Sequence, residues 1–79
     1  MTTIAALGHL TRDVVAEGDP RPGGGVFWST RALARLGADA DVHASCSARD
    51  HAALVPPLEA FGLPVTWHES STTTEYHFH

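Results

Sequence analysis

The alternation of apolar segments with glycine- and proline-containing turns predicts short strands and two helices along the chain. Residues 3–8 form a short apolar run that ends in glycine, which is typical of a strand buried on both faces. Residues 13–17 predict a second extended segment, which the turn-forming residues 18–22 end. Residues 26–36 lack glycine and proline and repeat apolar side chains near helical spacing, so they predict a helix that Gly37 caps.

The second half of the chain continues the alternation of strands and helices. Residues 41–46 and 65–68 predict strands, residues 69–71 predict a turn, and residues 74–79 alternate side chains as an extended strand does. The complete order is β-β-α-β-α-β-β. Strands that alternate with helices favour an α/β fold with central parallel strands, right-handed crossovers and a ligand site at the carboxyl ends of the strands.

The second predicted helix covers residues 52–61. Asp50 is a favourable N-cap for it, and Gly62 follows its end. Pro56 and Pro57 cannot donate backbone hydrogen bonds, so they should start or kink this helix part-way. No third helix is predicted to cover the second face of the sheet, which indicates an incomplete domain.

Composition and charge narrow the class of protein. The chain of 79 residues is 43% hydrophobic and 18% charged, which suits one small globular domain. The net charge is -4 and the five arginines are dispersed, so no basic stripe predicts nucleic-acid binding. No apolar run approaches the roughly 20 residues of a membrane span and the N-terminus does not read as a signal peptide, so we expect a cytoplasmic protein. Cys46, the single cysteine, is interpreted as a small buried side chain.

Three local motifs lie in the order of a known family. Residues 8–13 read Gly-His-Leu-Thr-Arg-Asp after the first strand, residues 22–25 read Pro-Gly-Gly-Gly before the first helix, and residues 35–38 read Arg-Leu-Gly-Ala at its end. Together they resemble the N-terminal part of the ribokinase/PfkB family of carbohydrate kinases. The resemblance implies that residues 1–79 are a single partial ribokinase-like domain.

The resemblance also implies a small β lid and an acceptor site. Residues 11–22 and 65–79 would contribute the lid strands. Asp13 would anchor adjacent hydroxyls of a sugar or cyclitol, because charge-assisted hydrogen bonds are about twice as strong as neutral ones; the alternative is a solvated turn aspartate. Gly23 and Gly24, with Gly25, would let backbone N–H groups approach the ligand at a helix N-terminus.

The chain departs from ribokinase itself at three of these positions. Thr11 stands where the family pattern has asparagine, Gly25 where it has lysine, and Trp28 where it has a helix asparagine. The aromatic pair of Phe27 and Trp28 is more similar to the branch that includes myo-inositol kinases. Trp28 would then stack on the apolar face of a ring polyol, although core packing explains a tryptophan equally well.

The late Gly-Ala-Gly-Asp segment on which the family's catalysis depends is absent from these residues, as is the nucleotide site. ATP and Mg²⁺ are implied for the complete enzyme, and the 79-residue chain is expected to be inactive alone. A second hypothesis is a non-catalytic assembly module whose exposed lid strands recruit another copy, as a homodimer, or a missing C-terminal portion. A third is a truncated chain with no function of its own.

The histidines are candidate metal ligands. His77 and His79 lie two apart on a predicted strand and so face one side, but a zinc site needs three or four ligands. We therefore predict no metal site.

Overall fold

The computed structural model describes residues 4–15 and 21–78. It contains six strands, two α-helices and a short 3-10 turn at Ala48–Asp50. The elements are β1 (Ile4–His9), β2 (Thr11–Val15), β3 (Arg21–Gly23), α1 (Gly25–Arg35), β4 (Ala40–Cys46), α2 (His51–Glu59), β5 (Val65–Glu69) and β6 (Glu75–Phe78). The predicted pieces at residues 16–20 and at His79 lie outside the described residues.

The main sheet has the strand order β1-β4-β5, and both of its strand pairs are parallel. This confirms the predicted α/β fold with parallel central strands. Apolar residues on one face of the sheet pack with residues from both helices. The core of buried hydrophobic residues is Ala6, Leu10, Val26, Phe27, Ala40, Val42, Ala44, Cys46, Leu54, Val55 and Leu58.

The opposite face of the main sheet, here called the open face, is not buried as the sequence predicted. Leu7 on β1 is 71% exposed, so the apolar run does not form a strand buried on both faces. Polar side chains on β4 and β5 share this face, where the alternation of each strand places every second residue.

The second, smaller sheet has the order β3-β2-β6 and corresponds to the predicted lid. Its central strand β2 pairs antiparallel with β3 and parallel with β6. Arg21–Gly23 was predicted as part of a turn, but it forms the edge strand β3, where Pro22 is tolerated because an edge strand can spare a backbone donor. Val65–Glu69 was assigned to the lid, and this was wrong, because the segment pairs with β4 in the main sheet.

The end of α1 follows the prediction in detail. Gly37 adopts a positive φ of 69°, and its N–H donates to the Ala34 carbonyl at 3.1 Å. The N–H of Ala38 donates to the Leu33 carbonyl at 3.0 Å. These two bonds form a Schellman motif, which satisfies carbonyl groups that the helix end would leave unpaired.

The helix α2 differs from its prediction at its start. Asp50 occupies the N-cap position, but its side chain makes no capping hydrogen bond. Pro56 and Pro57 lie inside the helix, which continues to Glu59. Leu54 and Leu58 are fully buried, so packing supports this helix despite the hydrogen bonds that the prolines remove. Neither described helix has the length and apolarity that a bilayer crossing requires.

Candidate functional site

The predicted acceptor residues lie where the chain passes from the carboxyl end of β1 into the lid. The Leu10 N–H donates to the Ser45 carbonyl at 2.8 Å, which ties the start of β2 to β4. Thr11 and Asp13 are two residues apart on β2 and therefore face the same side. Their partner strand β3 runs directly into α1 through Gly24.

Thr11, Asp13 and Gly23 form the centre of the site. The Thr11 hydroxyl donates to Asp13 Oδ1 at 2.8 Å, and Thr11 itself is only 9% exposed. A Cβ at Gly23 would lie 2.6 Å from Asp13 Cγ and 2.8 Å from Thr11 Oγ1. Only glycine at position 23 therefore lets the Asp13 carboxylate lie across β3, and the structure brings these three residues together.

Gly24 is required for a different reason. Its φ is 94°, a region that side chains other than glycine rarely adopt, and a Cβ there would lie 2.7 Å from the His9 carbonyl oxygen. Its carbonyl accepts the Trp28 N–H at 3.3 Å, which begins α1. The first turn of α1 carries no side-chain cap and no acidic residue. The first N–H groups of α1 therefore receive no hydrogen-bond acceptor from a capping side chain, and an electronegative ligand group could bind them.

Gly25 and Trp28 lie apart from this centre. A Cβ at Gly25 would meet no atom within 4 Å, so glycine is not sterically required there. Trp28 is 53% exposed, and its ring meets Phe27 edge-on with centroids 5.1 Å apart. The Arg31 guanidinium lies 5.7 Å from the Trp28 ring centroid. The core-packing alternative for Trp28 is therefore wrong.

A partly buried ion pair lies on the other side of β2, and no sequence pattern indicated it. Arg12 points away from Asp13, and its Nη1 donates to Asp50 Oδ1 at 2.9 Å. The Asp50 side chain is 4% exposed. The Ser47 hydroxyl donates to Asp50 Oδ2 at 2.8 Å, and Thr73 donates to Ser47 Oγ at 3.1 Å. These contacts join the lid sheet to the turn that precedes α2.

The surroundings of Asp50 lower its pKa. Burial alone raises the pKa of this carboxyl, but the nearby hydroxyls of Ser47 and Thr73 and the hydrogen bond and charge of Arg12 outweigh it. Asp50 is therefore a buried carboxylate that stays ionised. Asp50 directly precedes a predicted helix, which is why the sequence suggested capping instead of an ion pair.

Cys46 matches its interpretation as a packed thiol. It is 1% exposed, and burial raises the pKa of the thiol, while a hydrogen bond from Trp67 lowers it and the charge of Asp50 raises it further. A thiol held in its protonated form is a poor nucleophile.

One groove lies away from Asp13. It measures about 670 Å³ and runs along the edge of β1 against the face of α1 that includes Gly25 and Ser29. Thr11 and Asp13 do not line it. We attribute this groove to the unpaired edge of β1, since β1 is the outer strand of the main sheet within the described residues.

Solved structures similar to this chain come from ribokinase-family kinases. One is a pyrophosphate-dependent kinase in the ribokinase family complexed with a pyrophosphate analogue and myo-inositol, with 26% identity and a TM-score of 0.74. A second is a pyrophosphate-dependent myo-inositol-1 kinase converted into a myo-inositol-3 kinase by two substitutions, with 27% identity and a TM-score of 0.75. A third is a sulfate complex of a pyrophosphate-dependent kinase of the same family, with 26% identity and a TM-score of 0.74.

Each of these comparisons covers 95% of this chain and 28% of the solved chain. The chain therefore spans less than a third of the length of the structures that it matches, and its fold is part of a ribokinase-like domain. No family model matches the sequence, and no curated protein matches it.

Proposed function

Because the chain is a ribokinase-like fragment, we propose that it supplies the acceptor side of a kinase that phosphorylates a carbohydrate or cyclitol alcohol. The observation that carries this proposal is the Asp13 carboxylate, which Thr11 holds from one side and the bare backbone of Gly23 accommodates from the other. A carboxylate oxygen has more than one lone pair, so Asp13 can accept further hydrogen bonds while it keeps the bond from Thr11.

The acceptor that best fits is a ring polyol. Two solved structures that resemble this chain are described as kinases of myo-inositol or as bound to it. Adjacent hydroxyls of such a ring would donate to Asp13, and the N–H groups after Gly24 would meet hydroxyl oxygens. The exposed Trp28 ring would cover the apolar face of the polyol.

Catalysis belongs to residues that this chain does not contain. No Gly-Ala-Gly-Asp segment occurs in the sequence, and in the family that the chain resembles this segment supplies the aspartate that activates the acceptor hydroxyl. The complete enzyme would use ATP with Mg²⁺ in the cytoplasm. Pyrophosphate is the competing donor, because all three similar structures come from kinases described as pyrophosphate-dependent.

Two measurements test this function. Nuclear magnetic resonance titration of the ¹⁵N-labelled chain with myo-inositol, glucose and ribose should shift amide signals from Thr11 to Asp13 and from Gly23 to Val26. The largest shifts are expected with myo-inositol. Incubation with each ligand and either ATP–Mg²⁺ or pyrophosphate–Mg²⁺ should give no phosphorylated product. Turnover by the chain alone would overturn the division between acceptor binding and catalysis.

A second candidate function is assembly without catalysis. In the described residues β6 pairs only with β2, so it presents an edge that could recruit another strand. The partner would be a second copy or a longer chain that carries the remaining part of the fold. Analytical ultracentrifugation, read together with the polyol titration, separates the two candidates. A dimer that does not bind polyols supports assembly, and a monomer that binds them supports the acceptor role.

A further inference from the structure

The open face of the main sheet carries histidines that the proposed acceptor site does not use. The strand register places His9, Ser45 and His68 side by side on β1, β4 and β5. His43 lies two residues before Ser45 on the central strand and therefore faces the same side. These residues line a shallow cavity of about 370 Å³.

Two of these histidines form a hydrogen bond with each other through their ring nitrogens. His43 Nδ1 lies 3.0 Å from His68 Nε2, and the two rings are inclined by 28°. His68 is exposed and His43 is half-buried, so an ion in water can reach both nitrogens. His9 has a different partner, because its Nδ1 forms a hydrogen bond with Ser45 Oγ.

A metal ion that binds both nitrogens would displace the proton that this hydrogen bond shares. The 3.0 Å separation already suits ions of one coordination geometry. Two nitrogens that bind an ion at about 2.1 Å lie about 3.0 Å apart when the angle between them is 90°, and about 3.4 Å apart when it is tetrahedral. The right angle belongs to the square or tetragonal arrangements that Cu²⁺ and Ni²⁺ prefer, whereas zinc prefers tetrahedral sites. Imidazole nitrogen is a suitable ligand for both ions.

We propose that His43 and His68 form a two-histidine binding site for Cu²⁺, and more weakly for Ni²⁺, on the open face of the sheet. Water completes the coordination. No group of three or more histidine, cysteine or acidic residues within residues 4–15 and 21–78 is arranged to hold a metal, so these two imidazoles are the protein ligands. The sequence carries no local signal of this pair, because the two histidines lie 25 residues apart and meet only through the parallel pairing of β4 with β5.

Isothermal titration calorimetry with CuCl₂ and NiCl₂ tests the proposal on the 79-residue chain. We expect one Cu²⁺ per chain, weaker binding of Ni²⁺ and still weaker binding of Zn²⁺. His43→Ala and His68→Ala should each weaken Cu²⁺ binding at least tenfold. His51→Ala is the matched control, because His51 is a histidine of α2 whose ring packs edge-on against Trp67, and it should leave the affinity within about twofold.

The variant His77→Ala/His79→Ala addresses binding near the C-terminus. It should retain the Cu²⁺ affinity, and loss of binding in this variant would overturn the proposal. Unchanged affinity in both His43→Ala and His68→Ala would overturn it equally. Electron paramagnetic resonance of the Cu²⁺ complex supplies an independent readout, in which an axial spectrum with two coupled nitrogens is expected and a spectrum without nitrogen coupling contradicts the site. Because His68 is exposed, His68→Ala should fold even if His43→Ala does not.

Discussion

The ion pair between Arg12 and Asp50 should be a principal contact that holds the lid sheet against the rest of the molecule. Arg12→Met removes the guanidinium but keeps much of the aliphatic side chain, and it leaves the Asp50 carboxylate buried with its bond from Ser47. Removing one partner of a buried ion pair costs about 3–5 kcal/mol. The Arg12 side chain is 32% exposed, so water screens part of the interaction and we expect a loss of about 2–3 kcal/mol.

Urea unfolding followed by circular dichroism measures this loss. A chain of this length has a total unfolding free energy of roughly 4–12 kcal/mol, so the midpoint should shift clearly. Arg49→Met is the matched control, because Arg49 is an exposed arginine in the turn that contains Asp50. It should change stability by less than about 0.5 kcal/mol. An equally small effect of Arg12→Met would refute the reasoning.

The pH dependence gives an independent check on the same pair. The pKa of Asp50 is lower in the folded chain than in the unfolded chain, so its contribution to stability is fully present above the unfolded pKa, which is about 3.9. The contribution is lost as pH falls through the lower, folded pKa. The stability difference between wild type and Asp50→Asn should therefore be constant from about pH 5 to pH 7 and shrink below about pH 4. A difference that stays constant down to pH 2 contradicts the lowered pKa.

Other substitutions and reagents test the site and the core separately. Gly23→Ala should lower the unfolding free energy by about 1–3 kcal/mol in urea titrations, because its Cβ would overlap the Asp13 carboxylate, whereas Gly25→Ala, whose Cβ meets no atom, should change it by less than about 1 kcal/mol. Equal losses in the two variants would contradict the steric account. The Cys46 thiol should react with a chromogenic disulfide reagent at pH 7.5 only after unfolding, and rapid reaction of the folded chain would show that it is not buried. Trp28→Ala should lower stability by less than about 1.5 kcal/mol, because half of that side chain already contacts water, and a larger loss in urea titrations would place the ring in the core.

Local features of the fold could be predicted from sequence because they depend on neighbouring residues. The helix α1 and its end at Gly37 follow from side-chain periodicity and from the backbone freedom of glycine, and both agree with the structure. The placement of Asp13 near Gly23 could be predicted from the family resemblance. The structure shows why position 23 is glycine. A side chain there would overlap the Asp13 carboxylate, whereas the backbone does not adopt a positive φ.

Features that depend on pairing between distant segments could not be predicted. Arg12 and Asp50 are 38 residues apart, and no local pattern indicates that they meet. Val65–Glu69 has the composition of any short strand, so only its pairing with β4 places it in the main sheet. The exposure of Leu7 follows from the absence of a covering layer on that face among the described residues, whereas an apolar run in sequence indicates only that burial would be favourable.

The central claim is that Asp13 and Gly23 form the acceptor side of a polyol site. Its most direct test is the dissociation constant of myo-inositol, measured by the shifts of backbone amide signals in wild type and in Asp13→Asn. The account predicts saturable shifts centred on Thr11, Asp13 and Gly24 in wild type, and binding at least tenfold weaker in Asp13→Asn with an unchanged fold. Equal affinity in the two proteins, or shifts confined to the open face, would contradict it.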